Sequence, residues 1–404
     1  MSDLQAATAP SRRARSRRAA ANDVRLRTAA RSCVVRRGWD SVSFLGVAQE
    51  AGLTTRPMYD RFSDISAIGV DLWRNEAGPE LGRAVDALLE AALDLEDLDQ
   101  AVQAIEPFVR PGDALAVAAE LLAAAPYDEQ LAVAIRETGL VTAIARCQPS
   151  DERTPSQAAQ AAYLLVAALG LLMIRTRPLA ATVDVRPDLA ELLRACGEPG
   201  PIVDLPAVEA PHMRRFVAED PDPRVESILT ATLTAIAERG YAGATTEYIA
   251  DRAGVSQGSL FARYASKLQL FIAATRRQQA SAFRANYRLT KELTAEIGPG
   301  RAEATIMREW LRPEHQPGRA LVLEQLRLSW HDEIMRAAIE DLESTFMAEV
   351  SPLEPPAHRH RMPDHLHWGL ALGQGCNVVG VLVPGAWQLP MSVVTIPLLE
   401  PAAS

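Results

Sequence analysis

The stretch from Thr245 to Lys267 reads TTEYIADRAGVSQGSLFARYASK. Ile249, Ala250 and Ala253 put apolar and small side chains on one helical face. Gly254 follows, where a left-handed backbone is cheapest for glycine. Val255 tucks under the turn, and Ser256 is placed to cap a second helix. In that helix Leu260, Phe261 and Tyr264 have the spacing of an inward face, which leaves Gln257, Ser259 and Arg263 pointing elsewhere. Helix, glycine turn and capped helix form a helix-turn-helix, a unit that reads DNA with its second helix. A plain helical hairpin carries the same local signals.

A second copy separates the two readings. Subtracting 202 from these positions gives SFLGVAQEAGLTTRPMYDRFSDI, from Ser43 to Ile65. Val47, Ala48, Ala51, Gly52, Leu53 and Thr54 fall under Ile249, Ala250, Ala253, Gly254, Val255 and Ser256 without a gap. Met58, Tyr59, Arg61 and Phe62 fall under Leu260, Phe261, Arg263 and Tyr264. Upstream, Gly38 pairs with Gly240 and Trp39 with Tyr241. The chain reads as a tandem duplication whose period is half its length.

A chain of 404 residues with 48% hydrophobic and 5% aromatic residues suits two or three Ala- and Leu-rich helical domains. No apolar run reaches the roughly 18 residues that span a membrane, and the basic N-terminus lacks the apolar segment of a signal peptide. Cys33, Cys147, Cys196 and Cys376 form no CxxC pair, which fits a reducing, cytoplasmic setting. The net charge of −9 is unevenly spread. Residues 1–63 carry twelve Arg against five acids (+7), and residues 224–279 carry seven basic and four acidic side chains (+3), so the remainder holds −19. Two basic segments on an acidic protein are an electrostatic footprint for phosphate.

In chain order, residues 1–21 read as a disordered basic arm, and residues 22–70 as a first three-helix head in which Trp39 is a core plug. Residues 71–196 form a helical body, with a long helix running toward Leu93 and nearly all-apolar segments suited to a packing interface. Residues 197–223, repeatedly broken by proline, are a linker. Residues 224–273 are the second head and 274–404 the second body. The fold class expected is all-α: two repeats, each a helix-turn-helix head plus a helical ligand-binding and dimerising body, packed as a pseudo-dimer.

On these residues the sequence resembles the TetR family of bacterial transcriptional regulators, twice over. The family's head has a Gly-aromatic turn and a Ser or Thr cap on helix two. An Ile-Ala pair, an Ala-Gly-Val-Ser turn, a recognition-helix Tyr and a helix-four Lys follow. The second copy matches with Gly240, Tyr241, Thr245, Ile249, Ala250, Ala253, Gly254, Val255, Ser256 and Lys267, with Phe261 in the place of the Tyr. The first copy has Gly38, Trp39, Ser43, Val47, Ala48, Ala51, Gly52 and Tyr59, but its turn reads Leu53-Thr54 and Ile65 replaces the Lys. The resemblance implies DNA-reading heads on bodies that dimerise and bind a small effector, which releases the DNA; this chain resembles a fusion of both protomers.

The partners expected are a double-stranded DNA operator and a small effector, apolar or amphipathic, with no membrane and no cofactor. Ser43 and Thr54 in the first head, and Thr245 and Ser256 in the second, are expected to cap helices and to meet phosphate. Base edges would be read by Thr55, Arg56 and Pro57 in one head and by Gln257, Gly258 and Ser259 in the other. Tyr59, Arg61, Phe261, Arg263 and Lys267 would lie near the backbone. TTRP against SQGS predicts two unlike half-sites. Trp310, Trp330 and Trp368 are candidate effector-lining residues. His358, His360, His365 and His367 are not spaced for a metal, and nothing matches a nucleophile elbow or a phosphate loop, so no enzyme is expected. The rival is an effector sensor or adaptor that does not bind DNA. The two halves are expected to pack through segments near Leu164–Ile174 and Leu370–Val383, and association of two chains is left open.

Overall fold

The structure, a computed structural model, describes residues 12–93, 97–137, 141–176, 184–209, 218, 220–353, 362–383 and 385–400. Among them the regular structure is helical. The first half runs α1 (Arg12–Arg37), α2 (Phe44–Glu50), α3 (Arg56–Arg61), α4 (Ile65–Leu72), α5 (Gly78–Leu93), α6 (Leu98–Val109), α7 (Asp113–Ala124), α8 (Glu129–Glu137), α9 (Val141–Arg146), α10 (Pro155–Met173) and α11 (Arg186–Gly197). From Pro223 a comparable succession follows: α12 (Pro223–Gly243, broken at Gly240), α13 (Thr246–Ala253), α14 (Gln257–Phe261), α15 (Lys267–Ile297), α16 (Pro299–Leu311), α17 (Gln316–His331), α18 (Glu333–Val350), α19 (Met362–Leu382) and α20 (Ser392–Leu399).

Three expectations change here. The segment read as a disordered arm to residue 21 is helical from Arg12 onward, continuous with the head's first helix; its Ala and Arg residues are good helix formers, which the charge run obscured. The long helix expected toward Leu93 divides into α4 and α5 at a π turn, Trp73–Ala77, which buries Trp73 fully. Pro155–Met173 is long and apolar enough to cross a membrane, contrary to the expectation that no such run exists, and 89% of its apolar window is buried inside the molecule.

That helix is buried because α10 and α19 pack along their length. Gly170 lies on the backbone of Ala371, and Gly375 lies on the backbone of Val166; a Cβ on either glycine would overlap the facing carbonyl. Gly375 stands 205 positions after Gly170, and Ala371 stands 205 after Val166, so the two contacts are reciprocal. Small residues allow this close approach of backbones, and Leu164, Leu165, Val166, Val378 and Val379 fill the flanks.

One apolar core joins the first head, the first body and much of the second body, while the second head packs with Leu321, Met335, Ala338 and Ile339 in a core of its own. Arg319 is buried with no carboxylate among the described residues in hydrogen-bond reach; its Nη1 donates to the carbonyls of Trp310 and Arg312 and satisfies the C-terminal end of α16. Burial pushes its pKa down to about 10.

Candidate nucleic-acid interface

Each head is set by caps and a glycine. In the second, Thr245 Oγ1 accepts from Tyr248 N at 3.1 Å to start α13, and Gly254 ends it at φ 68°. Ser256 Oγ accepts from Ser259 N at 3.2 Å to start α14. In the first, Ser43 Oγ accepts from Gly46 N at 3.1 Å, and Gly52 turns at φ 62°. The cap of α3 is Thr55, not Thr54, and its hydroxyl makes no capping bond. Pro57 sits in the first turn of α3, where its missing N–H is not needed.

Met58 and Phe62 point into the first head, and Leu260 into the second. Gln257, Gly258 and Ser259 are all exposed at the start of α14. Arg56 is the counterpart at the start of α3, its side chain 88% exposed and 4.0 Å from Asp60. Tyr59 is exposed and rests against the Phe44 ring, centroids 4.9 Å apart. Phe261 is 51% exposed, so the expectation of an inward Phe261 is corrected. It takes the same outward position as Tyr59, because Leu260 already fills the inward one.

Residues 228–274 match the model of the bacterial regulatory proteins, tetR family. The second head is similar to the heads of that family. No curated protein matches the chain. The match supports a DNA-binding transcriptional regulator of the TetR family.

Several side chains of the two basic segments, among them three expected near phosphate, pair with groups of the protein itself. Arg61 turns inward to Asp71, Nη2–Oδ1 2.8 Å, and also pairs with Asp23. Arg27 shares Asp71 at 2.8 Å, Arg31 reaches Glu76 at 3.1 Å, and Arg36 reaches Glu50 at 2.5 Å. Lys267 of the second head donates from Nζ to the Tyr241 carbonyl at 2.7 Å and lies over that ring. Burial lowers its pKa. Arg263 pairs with Asp222 at 3.3 Å. A count of charges cannot see such pairing, because Asp71, Glu76 and Asp222 lie outside the two basic segments.

Above the heads, two buried carboxylates receive the turns that follow the positive-φ glycines. Trp39 N donates to Glu120 at 3.2 Å, and Tyr241 N donates to Glu324 at 2.5 Å. Each turn also touches the opposite half: the Gly38 position abuts the His331 ring and the Gly240 position abuts Tyr127. His331 Nε2 lies 2.5 Å from Glu120 Oε1.

In the second body, α15 to α19 line an open cavity of about 290 Å³, with Trp310 on its wall. Trp330 and Trp368 do not line it. Trp330 is a core residue whose indole N–H donates to the Met173 carbonyl at 3.1 Å beneath the Arg175 guanidinium, and Trp368 is buried in the main core. Sequence reasoning missed Gln278, Gln279, Gln325, Gln374 and Asn377 on the cavity wall. The available signal was amides on helix faces that otherwise bury apolar residues. His358 and His360 lie outside the described residues, as does the side chain of His365; His367 is buried.

Proposed function

We propose that this chain is a single-chain TetR-type repressor in which two fused repeats act as an intramolecular pseudo-dimer. Its heads read two unlike half-sites, and a small molecule bound in the second body releases the DNA. Support for the fusion comes from the 202-residue sequence repeat, the matching succession of helices and the reciprocal seating of Gly170 and Gly375. A contact in which i meets j′ and i′ meets j is the signature of a two-fold interface.

The observation that carries the DNA reading is the pair of outward first turns, Thr55-Arg56-Pro57 and Gln257-Gly258-Ser259, on helices positioned by Gly52 and Gly254. Arg56 suits a bidentate guanine contact and Gln257 suits adenine. Ser43, Thr54, Thr245, Ser256, Tyr59 and Phe261 flank these turns at the phosphate level in this reading, whereas Arg61, Arg263 and Lys267 serve the heads themselves. Site selection from random DNA tests it. Recovery of an asymmetric site supports the reading, and a perfect palindrome overturns the unlike half-sites. Failure to bind any DNA at low salt favours the second reading, an effector-sensing adaptor, to which the inward turn of Arg61 and Lys267 lends weight.

A further inference from the structure

We infer that the second body takes one neutral, partly aromatic molecule per chain, recognised through its hydroxyl or N–H donors, and that the corresponding place in the first body takes none. This rests on the proposal that the cavity is the effector site, and it adds the chemistry and the stoichiometry.

The chemistry follows from the wall. Phe283, Trp310, Leu326 and Ile339 supply apolar and aromatic surface. Among the described residues the polar lining is mostly amide, with no Lys or Arg, so an anion would find no cationic partner among them. Glu343 contributes a carboxylate that already has an interaction of its own. Most of the amide oxygens whose bonds are seen are taken. Gln325 Oε1 accepts from Gln279 at 2.6 Å, Asn377 Oδ1 accepts from Trp310 Nε1 at 2.9 Å, and Gln374 Oε1 accepts from Asn377 at 2.8 Å. The Oε1 atoms of Gln278 and Gln279 are buried and have no partner among the described residues. A buried acceptor without a donor is costly, and a bound hydroxyl or N–H met by turning either amide toward the cavity removes that cost.

The stoichiometry follows from the counterpart positions. With the 205-residue spacing of Gly170 and Gly375, the places of Gly373, Gln374 and Asn377 are held in the first half by Ala168, Leu169 and Leu172. With the 204-residue spacing of Glu120 and Glu324, the place of Gln325 is held by Leu121. All four first-half residues are completely buried in the main core. Leucine stands where the second half has amide and space.

Calorimetry on the full chain with 4,4′-dihydroxybiphenyl, biphenyl and biphenyl-4,4′-dicarboxylate tests the inference. The diol is expected to bind at one per chain and roughly tenfold more tightly than either comparator, about one good hydrogen bond's worth. Gln278→Leu, which removes one of the two unpartnered oxygens and none of the bonds seen around it, should narrow the gap between diol and biphenyl without lowering the melting temperature. Biphenyl binding as well as the diol, preference for the dicarboxylate, two sites per chain, or no binding by any of the three would overturn it. Release of labelled DNA is read in parallel. A diol that binds as stated but leaves DNA bound sinks the effector proposal and leaves this inference standing. A dicarboxylate that binds and releases DNA does the reverse.

Discussion

Arg327 of the second body reaches Asp40 of the first head, Nη2 to Oδ2 2.7 Å, while its guanidinium also holds Glu324 at 2.9 Å. Glu324 in turn receives the backbone N–H of Tyr241 in the second head. One buried arginine thus ties both heads to α17. The places equivalent to Arg327 and Asp40 are Ala123 and Ala242, so the tie runs in one direction only.

Glu324→Ala should be among the most damaging single changes. It strands the buried Arg327 and the Tyr241 N–H, and removing one partner of a buried pair costs about 3–5 kcal/mol. Urea unfolding measures this, with Asp40→Ala expected to cost much less because Asp40 is partly solvated. Equal losses would show that the Arg327–Glu324 bond is not the dominant one.

The α10–α19 seam predicts opposite outcomes for glycines on one helix. Gly375→Ala places a methyl into the Val166 carbonyl and should destabilise by about 1–3 kcal/mol, the usual range for overpacking. Gly373→Ala meets nothing within 4 Å and should gain about 0.5–1 kcal/mol from helix propensity. Thermal melts of the two variants decide between a tight seam and a loose one.

Arg56→Ala should relax base preference in one half-site by about 1–3 kcal/mol and leave the other unchanged. Quantitative binding to half-site variants reads this directly. Equal loss at both half-sites would rule out Arg56 as a reader of one.

Asp71 gives a pH dependence with a defined sign. Burial works to raise its pKa, but the hydrogen bonds from Arg27 and Arg61 outweigh burial and hold it below the usual carboxylate value. The stability it contributes is present above the unfolded pKa of about 3.9 and disappears as pH falls through the depressed folded value. The stability difference between the native chain and Asp71→Asn should therefore shrink in acid and stay level above about pH 5. A difference that grows on acidification would contradict the pairing.

The four cysteines are buried, and burial pushes the thiols of Cys147, Cys196 and Cys376 up to about 12. Since the thiolate is the nucleophile, the folded chain should react with a disulfide reagent at pH 8 far more slowly than the chain in urea. Rapid labelling of any of these three in the native state would refute the packing around it.

The heads were legible because their signals are local. Ser43, Thr245 and Ser256 cap within three residues, and Gly52 and Gly254 turn where the pattern stops. The α10–α19 seam was legible as two nearly all-apolar segments. What escaped were side chains whose partners lie far along the chain. Nothing near Arg61 announces Asp71, and nothing near Lys267 announces the carbonyl of Tyr241. Phe261 and Trp330 show the same limit from the apolar side: both are large aromatics, and only tertiary packing decides that one faces solvent and the other the core. The cavity glutamines were hidden because an amide on a helix reads as a surface residue until its neighbours are known.

The seam of Gly170 and Gly375 joins two helices of one polypeptide, so it closes in a first-order step. Subunits held by such a contact separate on dilution, following mass action. This contact has no such term. Its two faces are present one to one at any abundance of the chain.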